Sequence, residues 1–357
     1  MNTKIQRFNN LDGIRTLAAI GIILMHVKSN IGFEVAVGGK AGKFILEHLI
    51  GEMGGFVQLF FILSGFSMCC GYYQGFKEGH IDLNQFYSRR YRKIIPFFAL
   101  LICFDLLATF LFNGAISIGI FYEAFADITL MFGFFPASDI SVIGVGWTLG
   151  VIFGFYLLFP FFVYLIWNKK RAWFSFLITL GIHYVCSIYF LADGNAVGGN
   201  TARWLCFFVA GGLIYLYREE VFLFYSKMNG KAGTVLSVTM VLAGLLSALL
   251  INGFDISQLL STILLITAYS IILLGAIGPE TKIWYNRVSR YIGKISFEIY
   301  LSHMMVYRVI EKLRMTEIFE KTILSYFVTC FFTLGGVILF VSVYQILRKK
   351  LFIHFQV

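Results

Sequence analysis

The stretch SRRYRKIIPFFALLICFDLLATFLFNGA, residues 88–115, decides the fold. Four basic residues, Arg89, Arg90, Arg92 and Lys93, precede an apolar run whose one charged residue is Asp105. About twenty such residues, rising 1.5 Å each in a helix, cross the roughly 30 Å hydrocarbon core of a bilayer. Counting this run, at 94–115, ten apolar runs approach that length. The others lie near 11–29, 50–73, 146–167, 173–192, 203–217, 233–252, 257–278, 291–309 and 322–347. The composition agrees. Of 357 residues, 59% are hydrophobic and 13% charged, whereas a soluble domain needs about 25% charged residues to keep its surface wet. The same balance excludes a disordered chain. The expectation is an all-α polytopic membrane protein of about ten transmembrane helices, with residues 1–357 forming one transmembrane domain and no appended soluble domain.

The net charge of +10 sits in short clusters between the apolar runs, with no aromatic-studded basic stripe of the kind that binds nucleic acid. It reads as membrane-orienting charge. With the N-terminus inside, the inner segments carry twenty basic residues, among them Arg89–Lys93, Lys169–Arg171, Arg287, Arg290, Lys294 and Arg348–Lys350. The outer segments carry eight: Lys28, Lys40, Lys43, Arg203, Arg308, Lys312, Arg314 and Lys321. That asymmetry predicts cytoplasmic termini. The first run resembles a signal peptide, but Arg15 interrupts it and no small-x-small cleavage site follows, so it reads as a retained helix. The longest outer loop, 113–145, has no Lys or Arg, and its stretch IGIFYEAFADITLMFGFF is expected to lie along the outer interface as a helix. The six cysteines lie in apolar stretches without metal spacing and read as small buried hydrophobes.

Ionisable groups inside spans are costly, so each is a candidate for function. Arg15 and His26 share the first span. Eleven steps of about 100° bring them to one face, about 16 Å apart along the axis. Asp105 falls mid-span in the third run, and Glu298 at the cytoplasmic end of the ninth, near the depth of Arg15, where the two can pair. Gln58 sits at the depth of His26. His183 and His303 are intramembrane imidazoles, and each alone reads more readily as a hydrogen-bonded packing residue than as a catalyst. Arg89 and Arg92, three apart, share a helix face at the inner membrane edge. Such a pair suits phosphate oxygens, although charge alone favours simple positive-inside anchoring. No metal-binding, nucleotide-loop or nucleophile-elbow motif is present.

Five segments, taken together, resemble the acyltransferase family 3 membrane enzymes. FNNLDGIRTLAAIGIILMHV (8–27) resembles the opening helix, with Arg15 and His26 at the Arg-x10-His spacing. LFFILSGF (59–66) resembles the second-helix signature, and YSRRYRKIIP (87–96) the Arg-rich start of the third. GWTLGVIFGFYLLFP (146–160) resembles the Trp-containing fourth helix, with Trp147 and Tyr156 matching, and ISFEIYLSHMMV (295–306) the late Tyr-Leu-x-His helix. The resemblance implies an O-acyltransferase of the bacterial cytoplasmic membrane. It would move an acyl group, most commonly acetyl, from cytoplasmic acyl-CoA, a co-substrate rather than a tightly bound cofactor, to a hydroxyl of an extracytoplasmic or membrane-linked glycan. By the same resemblance, His26 is the essential histidine and general base, Arg15 its motif partner, and Arg89 and Arg92 hold coenzyme phosphates. Gln58, Trp147, Tyr156, Glu298, His303 and Asp105 are candidates for orienting groups or binding substrate. The sequence departs from the family in carrying Ile152 at the usual Glu position and Thr148 at the usual Ser position. A transporter of a lipid-linked sugar, or an inactive scaffold, stands as the alternative.

Overall fold

A computed structural model of the chain describes residues 8–32, 39–130, 132, 143–189, 200–318 and 322–354. Every extended element among them is a helix. The long ones are α1 (Asn10–Asn30), α2 (Phe56–Met68), α3 (Leu83–Asn113), α4 (Ile118–Thr129), α5 (Trp147–Leu165), α6 (Lys169–Tyr189), α7 (Thr201–Leu216) and α8 (Arg218–Ser226). They continue with α9 (Gly230–Leu250), α10 (Gln258–Ala276), α11 (Arg287–Lys294), α12 (Ser296–Lys312) and α13 (Ile323–His354). Eight helical stretches among the described residues are long and apolar enough to cross a bilayer: Asn10–Asn30, Gly42–Lys77, Leu83–Leu111, Gly144–Leu165, Lys169–Tyr189, Gly230–Leu250, Gln258–Ala276 and Ile323–Lys350. The protein is an integral membrane protein.

The two remaining expected spans are shorter helices. α7 has 16 residues and α12 has 17, rises of about 24–26 Å against a core of about 30 Å. Two boundaries differ from the hydropathy reading. The third helix starts at Leu83 rather than 94, because the Asp82 side chain accepts from Asn84 N at 2.9 Å and caps it. The basic residues 89–93 therefore lie within the helix, not ahead of it. The ninth run is divided: α11 ends at Lys294 and α12 begins at Ser296. A helix in the 113–145 loop is present as α4, which exposes Ile118, Tyr122 and Phe125. Residues 131 and 133–142 of that loop lie outside the described residues.

The chain packs as two compact units. One comprises Met1–Phe8 and Val57–Thr281. Its core is aromatic: Phe61 lies 5.6 Å from Trp204 and 5.1 Å from Phe208, which stacks on Phe155 at 4.1 Å. Gly65 abuts the backbone of Phe208 and Gly211 the backbone of Ile62, the close approach of small residues that holds helices together where lipid offers no hydrophobic drive. α9 and α10 pair in the same unit, with Ser237 Oγ donating to Gly275 O at 2.8 Å.

The other unit comprises Asn9–Phe56 and Lys282–Val357 and is built around α1. Thr16 Oγ1 lies 3.0 Å from Ser289 O, Tyr307 OH donates to Asn30 O at 2.5 Å, and Tyr326 OH to Leu24 O at 2.9 Å. Thus α11, α12 and α13 all fix α1 through backbone carbonyls.

Candidate functional site

In the α1 unit, α1 places His26 and α12 places His303. Their ring centres are 5.0 Å apart with planes inclined at 44°. His26 is half-buried, whereas His303 is fully enclosed. His303 Nδ1 lies 2.5 Å from Tyr300 O, one turn back on the same helix. A carbonyl oxygen only accepts, so the neutral ring carries its hydrogen on Nδ1 and a bare lone pair on Nε2. That Nε2 is buried and has no hydrogen-bond partner among the described residues. Buried polar atoms are ordinarily satisfied. An unsatisfied acceptor beside a second imidazole fits a site that waits for a donor.

At the other end of α1, Arg15 pairs with Asp12 at 3.5 Å, one turn earlier in its own helix. Glu298 Oε1 accepts from Gln345 Nε2 of α13 at 2.8 Å. Arg15, His26, Glu298 and His303 therefore all belong to this unit. Among the described residues no cluster of His, Cys, Asp or Glu has the makings of a metal site.

The remaining sequence candidates lie in the other unit. Gln58 Oε1 is buried without a hydrogen-bond partner among the described residues. Trp147 stands 5.8 Å from Trp204 and 6.3 Å from Phe61. Thr148, at the family's usual Ser position, turns its hydroxyl onto Val145 O at 3.1 Å. Asp105 is half-buried midway along α3. Arg89 and Arg92 are both exposed, and Arg89 donates to Gln85 Oε1 at 2.7 Å.

The sequence reading missed Arg90, which points inward instead. Its guanidinium donates to Tyr72 OH at 2.6 Å and lies 5.0 Å from the Tyr72 ring, 5.9 Å from Phe86 and 5.6 Å from Tyr156. Its Nε is buried and unpartnered among the described residues. A signal was available. Phe86, Ile94, Phe97 and Leu101 are buried, and Arg90 occupies the position on that same helical stripe between Phe86 and Ile94. A cation at an apolar stripe position is the intramembrane anomaly, whereas Arg89 and Arg92 face away. The pairing of His26 with His303 had no local signal, because 277 positions of chain separate them and only tertiary packing joins them.

A helical membrane protein with paired imidazoles on its first and late helices, and an arginine-rich third helix, is the architecture that the family motifs require. The chain belongs to acyltransferase family 3, whose acyltransferase-domain profile matches residues 8–342. It is similar to the O-acetyltransferase OatA of Staphylococcus aureus (strain NCTC 8325 / PS 47), with 27% identity over 205 residues, 52% of this chain and 30% of the relative. It is also similar to the peptidoglycan O-acetyltransferase OatA of Listeria monocytogenes serovar 1/2a, with 28% identity over 187 residues, 48% of this chain and 27% of the relative. The match thus spans less than a third of the length of these curated relatives. No solved structure matches the chain.

Proposed function

We propose that this protein is a membrane O-acyltransferase that moves an acyl group, acetyl above others, from cytoplasmic acyl-CoA to a hydroxyl of an extracytoplasmic or membrane-linked glycan. Family membership and the O-acetyltransferase names of both relatives support the reaction class. The observation that carries the reading is the pair His26–His303, 5.0 Å between ring centres, one ring half-exposed and the other enclosed.

In this reading His26 is the general base, and its half-exposed ring meets the acceptor. The acceptor oxygen attacks the thioester carbon and its proton passes to His26. The C–S bond then breaks, and the departing thiolate takes that proton back, so the base is regenerated. His303, with its hydrogen committed to Tyr300, keeps an unpartnered Nε2 lone pair in the pair and favours the imidazolium that forms on His26. Arg89 and Arg92, with Arg90 behind them, are suited to the phosphates of the donor. Ten crossings, with both termini in the cytoplasm of a bacterial cell, complete the reading. They place the arginines of α3 on the donor side.

The test uses the purified full-length chain with radiolabelled acetyl-CoA and a cell-wall glycan extract. Label should pass to alkali-labile esters on the glycan, and His26→Gln should abolish the transfer while donor binding persists. Transport of the glycan without ester formation would overturn the reading.

A further inference from the structure

The basic residues of α11 are arranged for more than anchoring. The helix is fixed by a capping box: Asn286 Oδ1 accepts from Val288 N and Ser289 N at 3.0 Å, and Ser289 Oγ accepts from Asn286 N at 2.9 Å. Ser289, Ile292 and Gly293 form its buried face, with Gly293 directly against the Asp12 backbone of α1. At about 100° per residue, Arg290, Lys294 and Arg287 then fall within an arc of about 60° on the opposite side. Tyr291 and Val288 continue that exposed arc as its apolar flank.

None of the three cations has an ion-pair partner among the described residues, and the nearest aromatic contact is Arg290 over Tyr285 at 5.7 Å. The aliphatic stems of Arg287, Arg290 and Lys294, with Val288, Tyr291 and Ile338 of α13, line an open and almost wholly apolar groove of about 560 Å³. Its wall is held in place by the Tyr291 hydroxyl, 2.6 Å from Ser342 Oγ of α13.

We infer that this groove is a binding site for an anionic glycerophospholipid. The phosphate lies on Arg287, Arg290 and Lys294, and the glycerol and the start of one acyl chain lie against Val288, Tyr291 and Ile338. Three neighbouring cations without a counter-charge repel one another, and a headgroup phosphate relieves that repulsion. The phosphates of a free nucleotide would satisfy the cations equally well, but would leave the apolar groove uncovered. The site is independent of the proposed acyl transfer and asks nothing of His26.

Native mass spectrometry of the full-length protein in detergent, with equal amounts of phosphatidylglycerol and phosphatidylcholine of matched chains, tests it. Phosphatidylglycerol should be retained with roughly tenfold or greater preference. Arg287→Gln/Arg290→Gln/Lys294→Gln should abolish the preference. Val288→Glu, which keeps every cation and alters an exposed position, should do the same through repulsion. The control Lys170→Gln/Lys227→Gln/Lys231→Gln, with the same change in net charge, should bind as the parent does. Equal retention of both lipids by the parent, or equal loss in the control, overturns the site. Displacement of phosphatidylglycerol by acetyl-CoA overturns the lipid assignment in favour of a nucleotide phosphate.

Discussion

Two intramembrane histidines begin alike and end differently. His183 on α6 directs Nδ1 at Arg203 O, 2.7 Å away, as His303 on α12 directs its Nδ1 at Tyr300 O. In both, the carbonyl fixes the hydrogen on Nδ1 and leaves Nε2 as an acceptor. At His183 that acceptor is met by the Thr262 hydroxyl at 3.3 Å, and the ring packs edge-on to Trp204 and Phe207. At His303 the same atom is buried without a partner among the described residues, and the neighbouring ring is His26. The second nitrogen separates them. A histidine satisfied on both sides is part of the packing; in the proposed function, the one left with a lone pair serves the reaction.

The largest effect tests the His26 half of that contrast. A positioned general base contributes about 10²–10⁴ in rate, so His26→Gln should lose at least a hundredfold in acetyl transfer from acetyl-CoA. Donor binding, measured by equilibrium dialysis, should stay within a few-fold. Near-normal turnover would remove His26 as the base. Next comes His303→Phe, which keeps the ring volume and removes the acceptor. Turnover should fall about tenfold to a hundredfold with little change in KM, and His303→Gln, which restores an acceptor oxygen, should recover part of it. Combining His303→Phe with His26→Gln should add nothing to the loss of turnover, because His303 acts through His26. An additive loss would make His303 a packing residue like His183.

How much of this was legible in the sequence follows from the range of each interaction. Of the ten apolar runs, eight are crossing stretches among the described residues, and the first run holds Arg15 and His26 in one helix. The start of α3 was misjudged by eleven residues because hydropathy sees where apolar residues begin, whereas the Asp82 cap sets where the helix begins. The same cause hid α11, whose alternation of charged and apolar residues blurred into the following run. Arg89 and Arg92 were chosen for sharing a face, yet the informative residue was Arg90, the cation on the buried stripe. The joining of His26 to His303, and the satisfaction of His183 by Thr262, rest on contacts between distant segments, to which no local pattern points.

The smaller effects come from the satisfied histidine. His183→Phe should leave acetyl transfer within twofold, because no group at that site waits for substrate. It removes the hydrogen bond to Arg203 O, while the Thr262 hydroxyl keeps Gln258 O as its acceptor, a cost of about 1 kcal/mol for one lost hydrogen bond. Thermal unfolding in detergent should show it as a lowered midpoint. Thr262→Val is the smallest change. The side chains are nearly isosteric, and the hydroxyl has an alternative acceptor in Gln258 O, 2.9 Å away within its own helix. Its bond to His183 is therefore a shared and rather long one. Side-chain hydrogen bonds between membrane helices average about 0.6 kcal/mol, and Thr262→Val should cost no more than that, with turnover unchanged. If it instead reduced turnover as strongly as His303→Phe does, the His183 site would be part of the reaction and the contrast between the two histidines would fail.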